Sequence, residues 1–188
     1  MSELNNLATT IKTCKKCLLH KGRMHAVPGE GPADAIIMFI GEAPGRQEDQ
    51  QGCPFVGKAG SLFDEALSKT SLARRNLFIT NVVKCRPPKN RNPREEEITA
   101  CHPYLSRQMT LINPYILCVM GRVAAEHLLP HYGVEPSSMS RMHGHAYQLK
   151  GFPHYIVPLY HPAASLYNPA LTDVFIADLC KITKLIDR

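Results

Sequence analysis

Four short apolar runs constrain this chain more than any other feature: "AIIMFI" (35–40), "LFITNVV" (77–83), "YILCVM" (115–120) and "YIVPLY" (155–160). Each is too brief for a buried helix and too uniformly apolar for a strand with one wet face. They read as strands covered on both sides, as in a parallel sheet. Helical patterns lie between them. Leu62, Phe63, Ala66 and Leu67 form one stripe, Ile98, Cys101, Leu105 and Ile112 a second, and "RVAAEHLL" (122–129) a third. A last stripe carries Leu171, Phe175, Leu179, Ile182 and Ile186, after "NPALTD". Residues 2–13 predict a first helix from Leu4, Leu7, Ala8 and Ile11 behind a Ser2 cap. For the helix after the second strand, Asn92 is the predicted cap, Pro93 the first helical position and Glu95 the partner in a capping box.

Alternating strands and helices imply an α/β fold with a largely parallel sheet sandwiched by helices. The segment "HAYQLKGFPHYIV" (145–157) looks like a hairpin turning at Lys150-Gly151, which would add an antiparallel edge strand. With 188 residues and 44% hydrophobic composition the chain can bury a core of its own, and no boundary divides it, so residues 1–188 are expected to form a single domain.

Ligands of open parallel sheets bind beyond the carboxyl ends of the strands. "GEAPG" (41–45) follows the first run, Asn81 stands near the end of the second, Gly121 follows the third and "HPAASL" (161–166) the fourth. A carboxylate, Glu42, a carboxamide, Asn81, and an imidazole, His161, are therefore expected on one rim.

The stretch "GCPFVGKAG" (52–60) spells G-x-x-x-x-G-K, the opening of a phosphate-binding loop. It fails as one on three counts. Gly52 lies twelve residues past Ile40, Pro54 removes an amide donor, and Ala59 stands where a hydroxyl would bind magnesium. No nucleotide or magnesium requirement is expected. The stretch instead offers an aromatic ring, Phe55, on a connection long enough to fold over the rim. Such a ring could stack on a flat ligand or simply join the core.

The net charge is +6, with basic residues in two groups: Lys12, Lys15, Lys16, Lys21 and Arg23, then Lys84, Arg86, Lys89, Arg91 and Arg94. Such blocks suit a polyanion or a solvated face. No apolar run reaches the roughly 20 residues that span a bilayer, and "MSELNNLATTIKTCKKC" lacks the apolar core of a signal peptide. A soluble, cytoplasmic protein with no membrane partner is expected. Of seven cysteines, Cys14 and Cys17 form a C-x-x-C, Cys85 ends the second strand and Cys101 lies on the following helix. This arrangement allows a four-thiolate zinc site, a cubane iron–sulfur cluster or no metal. Cys53, Cys118 and Cys180 read as packing residues.

Three stretches together, "GEAPGRQEDQQGCPFVGKAG", "TNVVKCRPPKNRNP" and "HPAASL", resemble the motifs of the family 4 uracil-DNA glycosylases, in the same order. The resemblance runs from about Cys14 to the last helix. It implies a three-layer α/β/α sandwich around a four-stranded parallel sheet. It also implies a structural [4Fe-4S] cluster on Cys14, Cys17, Cys85 and Cys101, and a DNA repair enzyme of base excision. That enzyme would flip uracil from single- or double-stranded DNA and hydrolyse its N-glycosidic bond.

By the same resemblance Phe55 stacks on the uracil, Asn81 pairs with its amide edge, Glu48 crowds C5 against the thymine methyl, and His161 donates toward O2. Backbone amides of Gly41 to Ala43 assist, Glu42 positions water or faces the sugar cation, and Leu166 wedges into the vacated stack. Lys58, Arg86, Lys89 and Arg91 are expected along the DNA backbone. Two departures stand out. Ala43 falls where the best-known uracil glycosylases have an aspartate, and Tyr167 where many family members have arginine after "HPAASL". A relative that captures uracil-DNA covalently through a loop histidine is a rival reading, but "RPPKNRNPREEEITAC" has no histidine before Cys101. A noncatalytic DNA-binding domain is another, and it leaves the rim residues unexplained. A monomer associated with the nucleoid is expected, and neither terminus points to a sliding-clamp tail.

Overall fold

The computed structural model describes residues 2–186. The strands are β1 (Ile37–Gly41), β2 (Leu77–Asn81), β3 (Ile116–Met120), β4 (Tyr147–Gln148) and β5 (Tyr155–Leu159), in the sheet order β2-β1-β3-β5-β4. The four apolar runs pair in parallel, and their ends fall within two residues of those predicted. The sheet has five strands, not four. The additional one is the hairpin strand β4, antiparallel to β5, with the Leu149 amide donating to the His154 carbonyl at 2.8 Å across the turn.

Side chains of successive strand residues enter different cores, as the twofold pleat requires. Met38, Ile40, Phe78, Leu117, Val119 and Ile156 pack toward one face, against α1 (Glu3–Thr13), α4 (Glu95–Ile112) and α5 (Arg122–Leu128). Ile37, Phe39, Leu77, Ile79, Ile116, Cys118, Val157 and Leu159 pack toward the other, against α3 (Lys58–Ser68) and α7 (Ala170–Ile186). The result is the expected three-layer sandwich.

Helix α1 starts where its cap predicts, the Ser2 hydroxyl accepting the Asn5 amide at 3.3 Å. Helix α4 starts two residues beyond the predicted Pro93. Its cap is Arg94, whose amide donates to Glu97 Oε2 at 2.7 Å, while Arg91 grips both Glu97 oxygens at 2.7 and 2.8 Å. The carboxylate that closes the box is thus Glu97, pulled inward by Arg91, and not Glu95.

Two short helices, α2 (Arg46–Gln51) and α6 (Met139–Met142), have no apolar stripe that would announce them. In α2 the buried residues are Glu48 and Asp49, held by backbone amides rather than by packing. Asp49 Oδ1 accepts the Met24 amide at 2.9 Å. No helix among the described residues is long and apolar enough to cross a membrane.

Candidate active site

Because β1, β2, β3 and β5 are parallel and in register, Gly41 lies beside Asn81 and Met120 beside Leu159, so the loops that follow leave from one edge. A cleft of ≈ 490 Å³ opens there, and its walls include Glu42, Ala43, Glu48, Phe55, Asn81, Arg91, His161 and Leu166. Gly41 lets two of these walls close in behind it: a Cβ there would stand 2.5 Å from Asn81 Oδ1 and 2.7 Å from the Phe55 ring. Lys58, Arg86 and Lys89 lie outside the walls of this cleft. Lys58 opens α3 on the outer surface, Arg86 donates to Asn90 Oδ1 at 2.7 Å, and Lys89 is exposed with φ at 54°.

Asn81 is 1% exposed, and its Oδ1 is the one buried side-chain polar atom among the described residues without a hydrogen-bond partner. A buried amide oxygen left unpaired costs roughly 1–3 kcal/mol. The backbone around it is held by Lys84, whose Nζ donates to the Asn81 carbonyl at 2.8 Å, to Thr80 Oγ1 at 2.6 Å and to Gln108 Oε1 at 2.6 Å. Lys84 is 1% exposed, so this member of the second basic group faces no polyanion.

Phe55 belongs to the core and to the cleft at once. Its ring packs on Phe63 at 5.6 Å and stacks on His161 at 5.6 Å with planes 30° apart. Its φ of 50° is a left-handed conformation, costly for a bulky residue and typical of functional sites. Polar anchors on both sides hold it. Arg74 donates to the Phe55 carbonyl at 3.3 Å and to the Pro54 carbonyl at 2.7 Å, while Glu48 Oε1 accepts the amides of Val56 at 3.0 Å and Gly57 at 2.8 Å. Arg74 is itself fixed by Glu30 and Asp64.

His161 Nδ1 accepts the Ala163 amide at 3.1 Å, so the neutral ring carries its proton on Nε2 and is a donor there. Burial pushes its pKa down to about 4 against the upward pull of Glu48, keeping the ring neutral at physiological pH. Gly121, at φ 88°, lets the chain turn beneath it, since a Cβ would come within 3.0 Å of the His161 Cβ. Burial also raises the Glu42 carboxyl above its ordinary range, and Arg122 partly offsets the shift. At the mouth, Leu166 and Tyr167 stand 46% and 90% exposed, an apolar pair facing outward.

A second recess lies behind β2. Cys14, Cys17, Cys85 and Cys101 line it, with Ile11, Ala100 and Tyr104. The sulfurs attract donors: Arg23 Nη1 to Cys85 Sγ at 2.8 Å, the Lys84 amide to Cys101 Sγ at 3.3 Å and the Lys16 amide to Cys14 Sγ at 3.4 Å. Arg23 also ties the carbonyls of Lys12 and Cys14, both at 2.9 Å. Burial above all pushes the Cys85 thiol up to about 11, despite Arg23, so a thiolate there needs a further cationic partner. Four thiols in one recess, three of them with N–H donors directed at their sulfurs, form a donor set suited to a thiolate-bound metal centre.

Residues 28–181 match the uracil DNA glycosylase superfamily. Over 98% of its length the chain is 46% identical to the type-4 uracil-DNA glycosylase of Sulfurisphaera tokodaii, of which it covers 86%. The chain belongs to the type-4 family. Two further type-4 enzymes agree: that of Archaeoglobus fulgidus is 43% identical over 98% of this chain and 94% of its own length, and that of Thermotoga maritima 37% over 95% and 92%. The superfamily match begins after Cys14 and Cys17, whereas the type-4 similarity extends over nearly the whole chain.

In this type-4 chain several residues that shape the site escaped the sequence reading. Arg23 and Lys84 were grouped as surface charge, yet one binds a cysteine sulfur and the other supports Asn81 from within. Arg74 carries no motif at all. Only the burial of its partners' carbonyls gives it meaning. Arg91, expected along the DNA backbone, lines the cleft, with its guanidinium paired with Glu97.

Proposed function

We propose that this protein is a monofunctional uracil-DNA glycosylase that flips uracil out of DNA and hydrolyses its N-glycosidic bond, leaving an abasic site. The observation that carries the reading is the unpartnered Asn81 Oδ1, buried at the end of β2 in the cleft that Phe55 and His161 also line. Uracil presents N3–H and O4 side by side. Asn81 accepts from the first through Oδ1 and donates to the second through its amide nitrogen. Cytosine presents an acceptor and a donor in the reverse order, so it would leave both groups of Asn81 unpaired, a loss of roughly 1–3 kcal/mol for each.

Phe55 gives the flipped ring a stacking surface, and its anchored backbone makes that surface rigid. As the C1′–N1 bond breaks, its electron pair passes into the uracil ring and onto O2. His161 meets that charge with Nε2–H. A neutral donor that is already in place needs no reorganisation, which is the condition under which such bonds act most strongly in a transition state. The oxygen of water then bonds to C1′, and the proton it sheds ends on the departing uracil anion, which leaves as neutral uracil. Glu42 lies where it can orient that water and face the sugar cation. Glu48 is a positioning residue: by binding two amides of the loop it sets the corner that faces C5.

Leu166 and Tyr167 are placed to fill the gap left in the stack, as apolar wedges do in bent duplexes. Arg86 and Lys89, on the exposed loop before α4, and Lys58, at the start of α3, provide backbone contacts with steep salt dependence. Cys14, Cys17, Cys85 and Cys101 would hold a [4Fe-4S] cluster. That group would supply a structural crosslink between the N-terminal segment and the basic loop, with no part in the chemistry.

Incubating cluster-loaded protein with uracil in U:G, U:A and single-stranded oligonucleotides, followed by alkaline strand cleavage, tests the reading. Cleavage at the uracil position is expected. A stable protein–DNA adduct on a denaturing gel, without cleavage, would instead indicate covalent capture.

A further inference from the structure

Three imidazoles meet outside the cleft, none of them among the residues that line it. His102 lies on α4, His127 on α5, and His131 in the turn Leu129–Tyr132 that prolongs α5. One nitrogen of each lies within 4.8 Å of the others, and His102 Nδ1 is 2.9 Å from His127 Nε2. The rings of His102 and His131 stack at 5.0 Å, with His127 edge-on to both.

We propose that His102, His127 and His131 form a facial three-imidazole site for a divalent borderline metal ion of the Zn²⁺, Co²⁺ and Ni²⁺ class. His127 and His131 are four residues apart, so one helical turn brings them to the same side, and α4 supplies the third ligand from across the helix pair. Ligand nitrogens around such an ion stand about 2.0–2.1 Å from it. The close His102–His127 pair already has a separation that neighbouring ligands adopt, and only the exposed His131 ring has to move inward. All-nitrogen donors favour this class over hard, oxygen-seeking cations, and three ligands leave a position open to solvent.

Without an ion, the cluster places lone pairs and N–H groups of three rings against one another with a single hydrogen bond among them. An ion would clip α5 to α4 one residue beyond Cys101. The site is therefore a second crosslink on the helix that carries a cysteine of the other recess, and not part of that recess.

The test uses untagged, cluster-loaded protein titrated with Zn²⁺ by calorimetry, with zinc X-ray absorption on the product. One equivalent is expected, with a nitrogen or oxygen shell at about 2.0–2.1 Å and no sulfur shell at about 2.3 Å. His131→Ala and His127→Gln should each weaken binding at least about tenfold. A control, His154→Ala, should leave it unchanged. His131 is exposed, so its variant should keep the fold, and cluster absorbance verifies this for both variants. A sulfur shell, or equal affinity in the wild type and both histidine variants, would overturn the proposal.

Discussion

Buried Lys84 Nζ donates to the backbone carbonyl of Asn81 at 2.8 Å. A buried amine, its pKa pushed down to about 7 by burial, thus holds the strand end that carries the carboxamide proposed to read uracil. Its other bonds, to Thr80 and Gln108, extend the support to Pro28, whose carbonyl accepts from both the Thr80 hydroxyl and the Gln108 amide. Lys84→Met removes three donors while keeping most of the volume. It should destabilise the protein by about 1–3 kcal/mol, because it leaves the buried Asn81 carbonyl and Gln108 amide oxygen without their donor. It should also lower kcat about tenfold with little change in KM; urea unfolding and single-turnover excision measure the two effects.

Glu48 and Arg74 hold Phe55 from opposite sides. Glu48→Ala frees two amides at once, and with bonds to charged groups near 1.5–3 kcal/mol, kcat/KM should fall by about ten- to a hundredfold. Glu48→Gln keeps an acceptor and should recover part of that loss. If both variants excised uracil at the wild-type rate, the rigid placement of Phe55 would have no part in catalysis.

On the proposed mechanism, His161→Ala removes the donor aimed at developing charge. Base release should slow by about 100- to 1,000-fold while affinity for uracil-containing DNA changes little, as measured by single-turnover kinetics and fluorescence anisotropy.

The same residue sets a pH signature. Its folded pKa of about 4 lies below the ordinary value of 6.5, so between those limits the unfolded chain binds more protons. Its contribution to stability is therefore complete above about pH 6.5 and is lost as the pH falls toward 4. Thermal melting across that window should show a shallower acid loss in His161→Gln than in the wild type. Excision should show no step near 6.5, because His161 donates as the neutral ring throughout.

Arg23 donates to Cys85 Sγ and ties the carbonyls of Lys12 and Cys14. Arg23→Gln should hasten loss of visible cluster absorbance in air and lower the melting temperature. Chelation of iron should have the same effect on the N-terminal segment, read as increased proteolysis near Cys14.

How far the sequence foretold this structure depends on whether a feature is local. The four apolar runs were legible because both faces of a parallel strand are dry, and the carboxyl-end rule then placed Glu42, Asn81 and His161 on one rim. Helix α2 was not legible, because its buried residues are acids held by distant amides. The start of α4 slipped by two residues because Arg91 selects Glu97 over Glu95, a choice made by a side chain outside the helix. Lys84 and Arg23 were illegible for a related reason: a basic residue looks the same in sequence whether it meets solvent, a sulfur or a carbonyl. The three histidines fall at positions 102, 127 and 131, and only the packing of α4 on α5 brings the first to the other two.

The central claim is that the unpartnered oxygen of Asn81 reads uracil for excision. Single-turnover release of free base from U:G duplexes by cluster-loaded wild type and Asn81→Ala, with a T:G duplex alongside, tests it most directly. The account predicts uracil release by the wild type, at least about tenfold slower release by Asn81→Ala, and no thymine release from either. Equal uracil release by the two proteins, or none from the wild type, would contradict it.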